Sequence, residues 1–335
     1  MENSPHTTKP YIASIGTGRG QRRLIEAAKQ AGFAVLGIDQ APDASLCDAT
    51  LRVSTYDAEK AVEAALEWQK KNHKIQHVMA RTSGPANITA AKLASALNVP
   101  GQGDDLAEAA LSKLSLYKQC VDENVPTIES EQLSPSVAPS LSLPLIIKPD
   151  QPLRGKEHVF LIREPEEISA AAQQACNASI NGMYIAQPLV SGEEFGVSVA
   201  ARDGKMLWHA YYTEHVETDE NGRFIGKGVA GPRPNVCADV RRMCGASVAQ
   251  LLARWNTTGF VFFSFRINEL NIPLLFEVNP GLCGDQIVDE LFPAMWPGTD
   301  FFYLEIALLT GAECTFPKTE GLASAVRTKS GGEVP

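Results

Sequence analysis

The chain has 335 residues, of which 44% are hydrophobic and 21% charged, and its formal net charge is −9. That length accommodates two or three domains of ordinary size, and the composition fits a globular protein with a sizeable core. The acidic balance without a basic tract excludes a broad phosphate-binding footprint, so nucleic acid is not an expected partner, and no run approaches the roughly 18 apolar residues of a membrane span.

Tyr11–Ile15 reads as a short apolar strand, followed by the glycine turn Gly16-Thr17-Gly18-Arg19-Gly20 and a helix over roughly 21–31. A second strand, Ala34–Ile38, ends at Asp39. Next come Ala49–Val53, a helix near 58–71, the strand Gln76–Ala80 and a helix near 86–97. Strands alternating with helices predict a parallel, doubly wound sheet. Residues 104–124 read as two helical segments broken near Ser112 and ended by Asn124-Val125-Pro126. Ser134–Pro144, rich in Ser and Pro, reads as a connector.

A second unit begins with the strand Leu145–Lys148 and continues through Val159–Ile162, a helix near 165–176 and the strand Tyr184–Gln187. A third starts at Gly192. Its expected strands are Glu194–Ala201 and Met206–Thr213, followed by a charged, glycine-bearing loop over 214–234 and a helix near 237–254. The apolar runs Gly259–Ile267 and Pro273–Gly281, broken at Asn268-Glu269-Leu270-Asn271, predict a β-hairpin. The last helix is expected near 300–311, and the tail from 316 is expected to be loose. The domain limits drawn from this pattern are 1–111, 112–190 and 191–335.

The hairpin is the most informative stretch. Glu277 and Asn279 are two apart on one strand and project from the same face. Paired oxygen ligands on a rigid strand suit Mg²⁺, which also takes phosphate oxygens from a substrate. An acidic residue inside an apolar strand is costly unless something compensates it, and a metal would. Lys148 ends an apolar strand and can reach phosphates as a point charge; a solvated strand end is the other reading. Arg154-Gly155-Lys156 forms a cationic turn suited to covering phosphates, or simply an exposed turn. Gln187-Pro188-Leu189-Val190 offers backbone groups to an adenine edge, and a carboxylate beyond it can accept from ribose hydroxyls. Lys113, at a helix start, is a further phosphate candidate or a surface lysine.

Taken in order, "LSKLSLYKQCVDENVPT", "PLIIKP", "YIAQPLVSGEEFGVSV" and "FRINELNIPLLFEVNPG" resemble the ATP-grasp superfamily of carboxylate–amine ligases, over residues 11 to 310 or so. The opening domain resembles the pre-ATP-grasp domain of biotin carboxylase-like and carbamoyl-phosphate synthetase-like members. The resemblance implies an α/β chain, α+β in its C-terminal part. A doubly wound parallel sheet is followed by a two-part ATP-grasp fold with an antiparallel sheet and a small lid. It implies ATP and Mg²⁺, with Mn²⁺ as a substitute. It also implies small carboxylate and amine substrates, amide-bond formation through an acyl phosphate, and dimers as a common assembly. Residue by residue, Lys113 and Lys148 match the nucleotide-phosphate lysines, Gln187, Leu189 and Val190 the adenine hinge, and Glu194 the ribose glutamate. Glu277 and Asn279 match the metal pair, and the turn 150–157, with Lys156, matches the phosphate-covering loop.

Three departures bear on activity. Relatives usually carry an acidic metal ligand on the first hairpin strand, where this chain has Phe265 or Ser264; alternation places Ser264 on the face of Glu277. Many follow Asn-Pro with Arg, where this chain has Gly281, and Arg266 is expected to supply that charge to the reacting group. The lid turn is poor in glycine. A nucleotide-binding pseudoenzyme, acting as sensor or scaffold, is therefore the alternative. A third reading is a dinucleotide site at Gly16-x-Gly18-x-Gly20 with Asp39 beyond it, but the third glycine of that fingerprint falls on Gln21.

Glu214, His215, Lys227 and Arg233 are candidates to meet triphosphate or acceptor, or form a solvated loop. Cys283 has no base beside it and reads as packing. His73 and His77 lack a partner at ligand spacing. The seven cysteines are scattered without a CxxC, which reads as reduced thiols. The opening MENSPHTTKP lacks a signal-peptide core, so a cytoplasmic location is expected.

Overall fold

The computed structural model describes residues 9–152, 158–218, 224–231, 236–282, 284, 286–319 and 326–327. β1 (Tyr11–Ile15), β2 (Ala34–Asp39), β3 (Ala49–Arg52) and β4 (Ile75–Ala80) form a parallel sheet in the order β3-β2-β1-β4. Successive residues alternate between its faces. Ala13, Ile15, Leu36 and Ile38 meet α2 (Ala58–Lys71) and α3 (Pro85–Leu97). Ile12 and Val35 face the other way, towards Leu24 and Ile25 of α1 (Arg22–Gln30).

Ser112 separates α4 (Asp104–Leu111) from α5 (Lys113–Asp122). Its backbone is extended, at φ −111° and ψ 123°, and its Oγ accepts from the Ser115 N–H at 3.1 Å. A serine that caps one helix thereby ends the previous one. A second sheet follows, built from β5 (Glu131–Leu133), β6 (Leu145–Pro149), β7 (Phe160–Ile162) and β8 (Tyr184–Pro188), in the antiparallel order β5-β8-β6-β7. α6 (Ile168–Asn177) lays Ala171, Ala172 and Ala175 on its inner face.

The large antiparallel sheet has the order β13-β12-β9-β10-β11-β14. Its strands are β9 (Glu194–Arg202), β10 (Lys205–Thr218), β11 (Phe224–Gly231), β12 (Gly259–Ile267), β13 (Pro273–Pro280) and β14 (Val326–Arg327). α7 (Ala238–Trp255) covers one face with Val240, Val248 and Leu251 against Val199, Val261 and Phe263. The other face meets a π-helical turn (Gln286–Leu291), α8 (Phe292–Met295) and α9 (Phe301–Thr310). These closing helices also cover the α1 side of the first sheet, so one aromatic core joins the two ends of the chain.

Two expectations fail. Residues 214–234 are not all loop: β10 runs to Thr218 and pairs with β11 back to Gly231. The glycines and charges there defeat a reading by propensity, and the backbone ladder decides. The tail is not wholly loose, because β14 pairs with β11 at Ala230 and Gly231. The turn 286–291 and α8 had no counterpart in the sequence reading.

Candidate active site

A pocket opens where the β6–β8 sheet faces the β9–β12–β13 end of the large sheet, and Lys113, Lys148, Gln187, Leu189, Val190, Glu194, Arg266 and Glu277 all line it. Lys148 sits near the end of β6 and is buried, at 8% exposure. Burial, reinforced by the charge of Lys113, pushes its ammonium down to about 7, against the pull of Glu277 and Glu194. Its Nζ stands 5.8 Å from the centre of the Phe276 ring. Lys113 is the first residue of α5, where the helix dipole disfavours a cation. Helix stability therefore does not explain a lysine there. Its Nζ is 3.7 Å from Glu277 Oε1.

The hinge runs from the end of β8 into β9. Gln187 is buried and donates from Nε2 to Ser130 Oγ at 2.7 Å. Leu189 gives its N–H to the Pro144 carbonyl at 3.1 Å. Gly192 fits because a Cβ there would lie 1.4 Å from the Ile267 carbonyl oxygen, so the turn is pressed against the end of β12. That contact sets Glu194 opposite Arg266 in register. Arg266 donates to Glu194 Oε2 at 2.5 Å and to the Val190 carbonyl at 3.1 Å. Its contacts thus lie at the hinge, away from Gly281, the position whose missing charge it was expected to supply. The register Arg266↔Glu194 is the reason.

On the hairpin, Ser264 pairs directly with Glu277, as alternation required. A bulge follows: Phe265 pairs with Leu275, leaving Phe276 unpaired and turned into the pocket beside Glu277. Asn279 is half-buried and two residues beyond Glu277, opposite Phe262. Gly281 has φ +78°, and a Cβ on it would approach the Ala80 carbonyl to 2.9 Å. Any larger residue would meet strain and the end of β4 here.

The aromatic and aliphatic lining (Ile128, Ile146, Val159, Leu189, Phe276) makes an apolar part of the pocket, while the lysines and Glu277 form a charged end. Phe276 escaped the sequence reading because the bulge reverses its face. Asp150, buried two residues beyond Lys148, was covered only as part of the turn 150–157 and not singled out; a carboxylate straight after an apolar strand was the available signal. Lys156, Arg154, Gly155, Cys283 and Arg233 lie outside the described residues. Lys227 Nζ is 3.5 Å from Glu217 Oε2 on the surface, and neither residue lines the pocket. His73 stacks on Tyr11 and His77 meets Phe33 edge-on, both in packing roles.

The first glycine turn is closed from within. Asp39 Oδ2 accepts from the Thr17 N–H at 2.9 Å, and Gln21 reaches across Gly16 and Gly18 to donate to the Arg81 carbonyl at 2.6 Å. A dinucleotide would need both the acid and that space.

No protein-family model matches the chain, and no curated protein sequence does. Solved structures do. The L-amino acid ligase from Bacillus licheniformis superposes on 90% of this chain and 75% of its own, with a TM-score of 0.72 at 17% identity. The biotin carboxylase domain of the 2-oxoglutarate carboxylase from Hydrogenobacter thermophilus, in complex with MgADP, ADP and bicarbonate, gives 93%, 72% and 0.70 at 15% identity. N5-carboxyaminoimidazole synthetase from Staphylococcus aureus, complexed with ADP, gives 91%, 78% and 0.71 at 14% identity. The chain has the ATP-grasp fold of these enzymes.

Proposed function

We propose that this protein is an ATP-dependent carboxylate–amine ligase that acts through an acyl phosphate on an amino acid or other small carboxylate. The observation that carries the reading is the placement of two largely buried lysines, one of them 3.7 Å from the Glu277 carboxylate, at the charged end of a slot lined by apolar residues. Burying one cation beside another is unfavourable without an anion to bring them together. A nucleotide triphosphate is such an anion, with its base in the slot and its sugar near Glu194.

Among the described residues, no group of three or more His, Cys, Asp or Glu converges that would hold a metal unaided. Glu277 and Asn279, with the Ser264 hydroxyl across the ladder, fit the hard-oxygen, partial ligation that Mg²⁺ accepts when phosphates complete its shell. Mn²⁺ takes the same donors. A divalent cation held there would supply neutralisation of phosphate charge. Lys113, paired with Glu277 in this structure, would turn to the phosphates of a bound nucleotide.

The substrate carboxylate oxygen then attacks the γ-phosphorus and ADP leaves, with Lys148 and Lys113 holding the phosphates in line. An amine attacks the acyl carbon, loses a proton and expels phosphate, leaving an amide. Arg266 holds Glu194 and the hinge carbonyl in place for the sugar and base.

Glu277→Gln tests this. ADP release, measured with pooled amino acids and small carboxylates in the presence of Mg²⁺, should fall by about two orders of magnitude or more, with the melting temperature little changed. Retained turnover would remove the metal assignment. A second reading is favoured by one observation: a serine faces Glu277 where relatives place an acid. On that reading the protein binds nucleotide as a sensor, and ATP would bind without ADP release from any pool.

A further inference from the structure

Asp150 has no solvent exposure, yet it lies one residue beyond the Lys148-Pro149 end of β6. Its carboxylate collects donors from three directions. Ser112 Oγ donates to Oδ1 at 3.0 Å, and the Leu114 N–H donates to the same oxygen at 3.0 Å. Gln132 Nε2 and Asn181 Nδ2 each donate to Oδ2 at 2.7 Å. Its backbone takes part as well: the Lys113 N–H reaches the Asp150 carbonyl at 3.2 Å, and the Asp150 N–H reaches the Met183 carbonyl at 3.2 Å.

Three of these contacts, from Ser112, Lys113 and Leu114, are with α5 and its cap. Leu114 follows Lys113, and Ser112 is the helix's own cap. The negative carboxylate therefore sits at the positive end of the α5 dipole. The chain between Asp150 and Lys148 is a single proline, whose ring fixes its φ. The carboxylate thus ties the first turn of one helix to the end of one strand, and each of those ends carries a lysine of the pocket.

We infer that Asp150 is a positioning residue that sets the spacing of Lys113 and Lys148 for the phosphates of the nucleotide. It touches no nucleotide itself; it acts by fixing where the two cations stand. The inference rests on the nucleotide reading above. A carboxylate with four donors has no neutral isostere here. In Asp150→Asn one oxygen becomes an NH₂ group and faces donors. Gln132 can turn its amide to accept. Asn181 cannot, because its Oδ1 already accepts from Ser179 Oγ at 2.8 Å and from the Met183 N–H at 3.1 Å.

The test measures nucleotide affinity by titration with a fluorescent ATP analogue, alongside KM for ATP, kcat and the melting temperature. Asp150→Asn should raise Kd and KM for ATP about ten- to hundredfold, a size typical of misplaced positioning groups. In Lys113→Ala the same change should add much less, since the lysine it places is gone. The exchange variant Asp150→Asn with Asn181→Asp supplies an acceptor for the new NH₂ group and should recover most of the affinity. Should Asp150→Asn prove too unstable to measure, Ser112→Ala removes one link and should give a several-fold rise in Kd. If the wild type binds the analogue and these variants bind it equally well, or if the losses of Asp150→Asn and Lys113→Ala simply multiply, the inference is overturned. If the wild type binds no nucleotide, the underlying reading falls, and the inference falls with it.

Discussion

Lys148 is the residue whose state decides how the pocket meets an anion. Its ammonium is held down to about 7 by burial and by Lys113, against 10.5 for a solvated lysine. The sign follows. Folding favours the neutral amine, so this group lowers stability below pH 7, and the penalty is relieved as pH rises from about 7 towards 10.5. A bound triphosphate reverses the preference by stabilising the ammonium. Nucleotide binding at about pH 8 should therefore take up to about one proton from solution. Titration calorimetry in buffers of different ionisation enthalpy measures this uptake. Lys148→Met should abolish the buffer dependence and weaken binding; a buffer dependence that survives the substitution would assign the proton elsewhere. The identity of both lysines was legible in the sequence. The pairing of Lys113 with Glu277 and the burial of Asp150 were not, because each depends on contacts between segments far apart in the chain.

At the scale of elements, the hairpin was legible almost to the residue. Its apolar alternation and polar break encode strand, turn and facing pairs, so Ser264 opposite Glu277 was foreseen. The bulge was not, since an extra residue leaves no mark on composition, and it turns Phe276 into the slot. β11 was missed because glycine-rich, charged sequence carries no strand signal. Ser264→Asp tests what the hairpin lacks. Two carboxylates directly opposite repel, so the metal-free variant should lose about 1 kcal/mol of stability. Added Mg²⁺ should restore it, and the Mg²⁺ dependence of ADP release should steepen. Melting curves with and without Mg²⁺ check the first point and metal titrations the second; unchanged curves would turn Ser264 away from the metal.

In the whole molecule, the parallel sheet followed from alternating strands and helices, whereas its strand order and the partner of its second face did not. Glu305 of α9 lies in that junction, 4% exposed, accepting from the Phe260 N–H at 2.8 Å. Burial raises its carboxyl to about 8. The native state thus keeps a proton that the unfolded chain releases near 4.5. Stability should fall as pH rises from about 4.5 to about 8 and then level off. Glu305→Gln stays neutral and keeps an acceptor. It should match the wild type near pH 5 and exceed it by about 1–3 kcal/mol at pH 8 in denaturant titrations; parallel pH profiles would contradict this. The same junction governs how the nascent polypeptide matures. Ile12, Leu24 and Val35 find their cover in Phe292, Phe301 and Phe302, near the opposite terminus. The first sheet can therefore be sealed only after synthesis has passed α9. A fragment truncated ahead of α8 would leave that greasy flank bare, ready to be seized by chaperones or to aggregate.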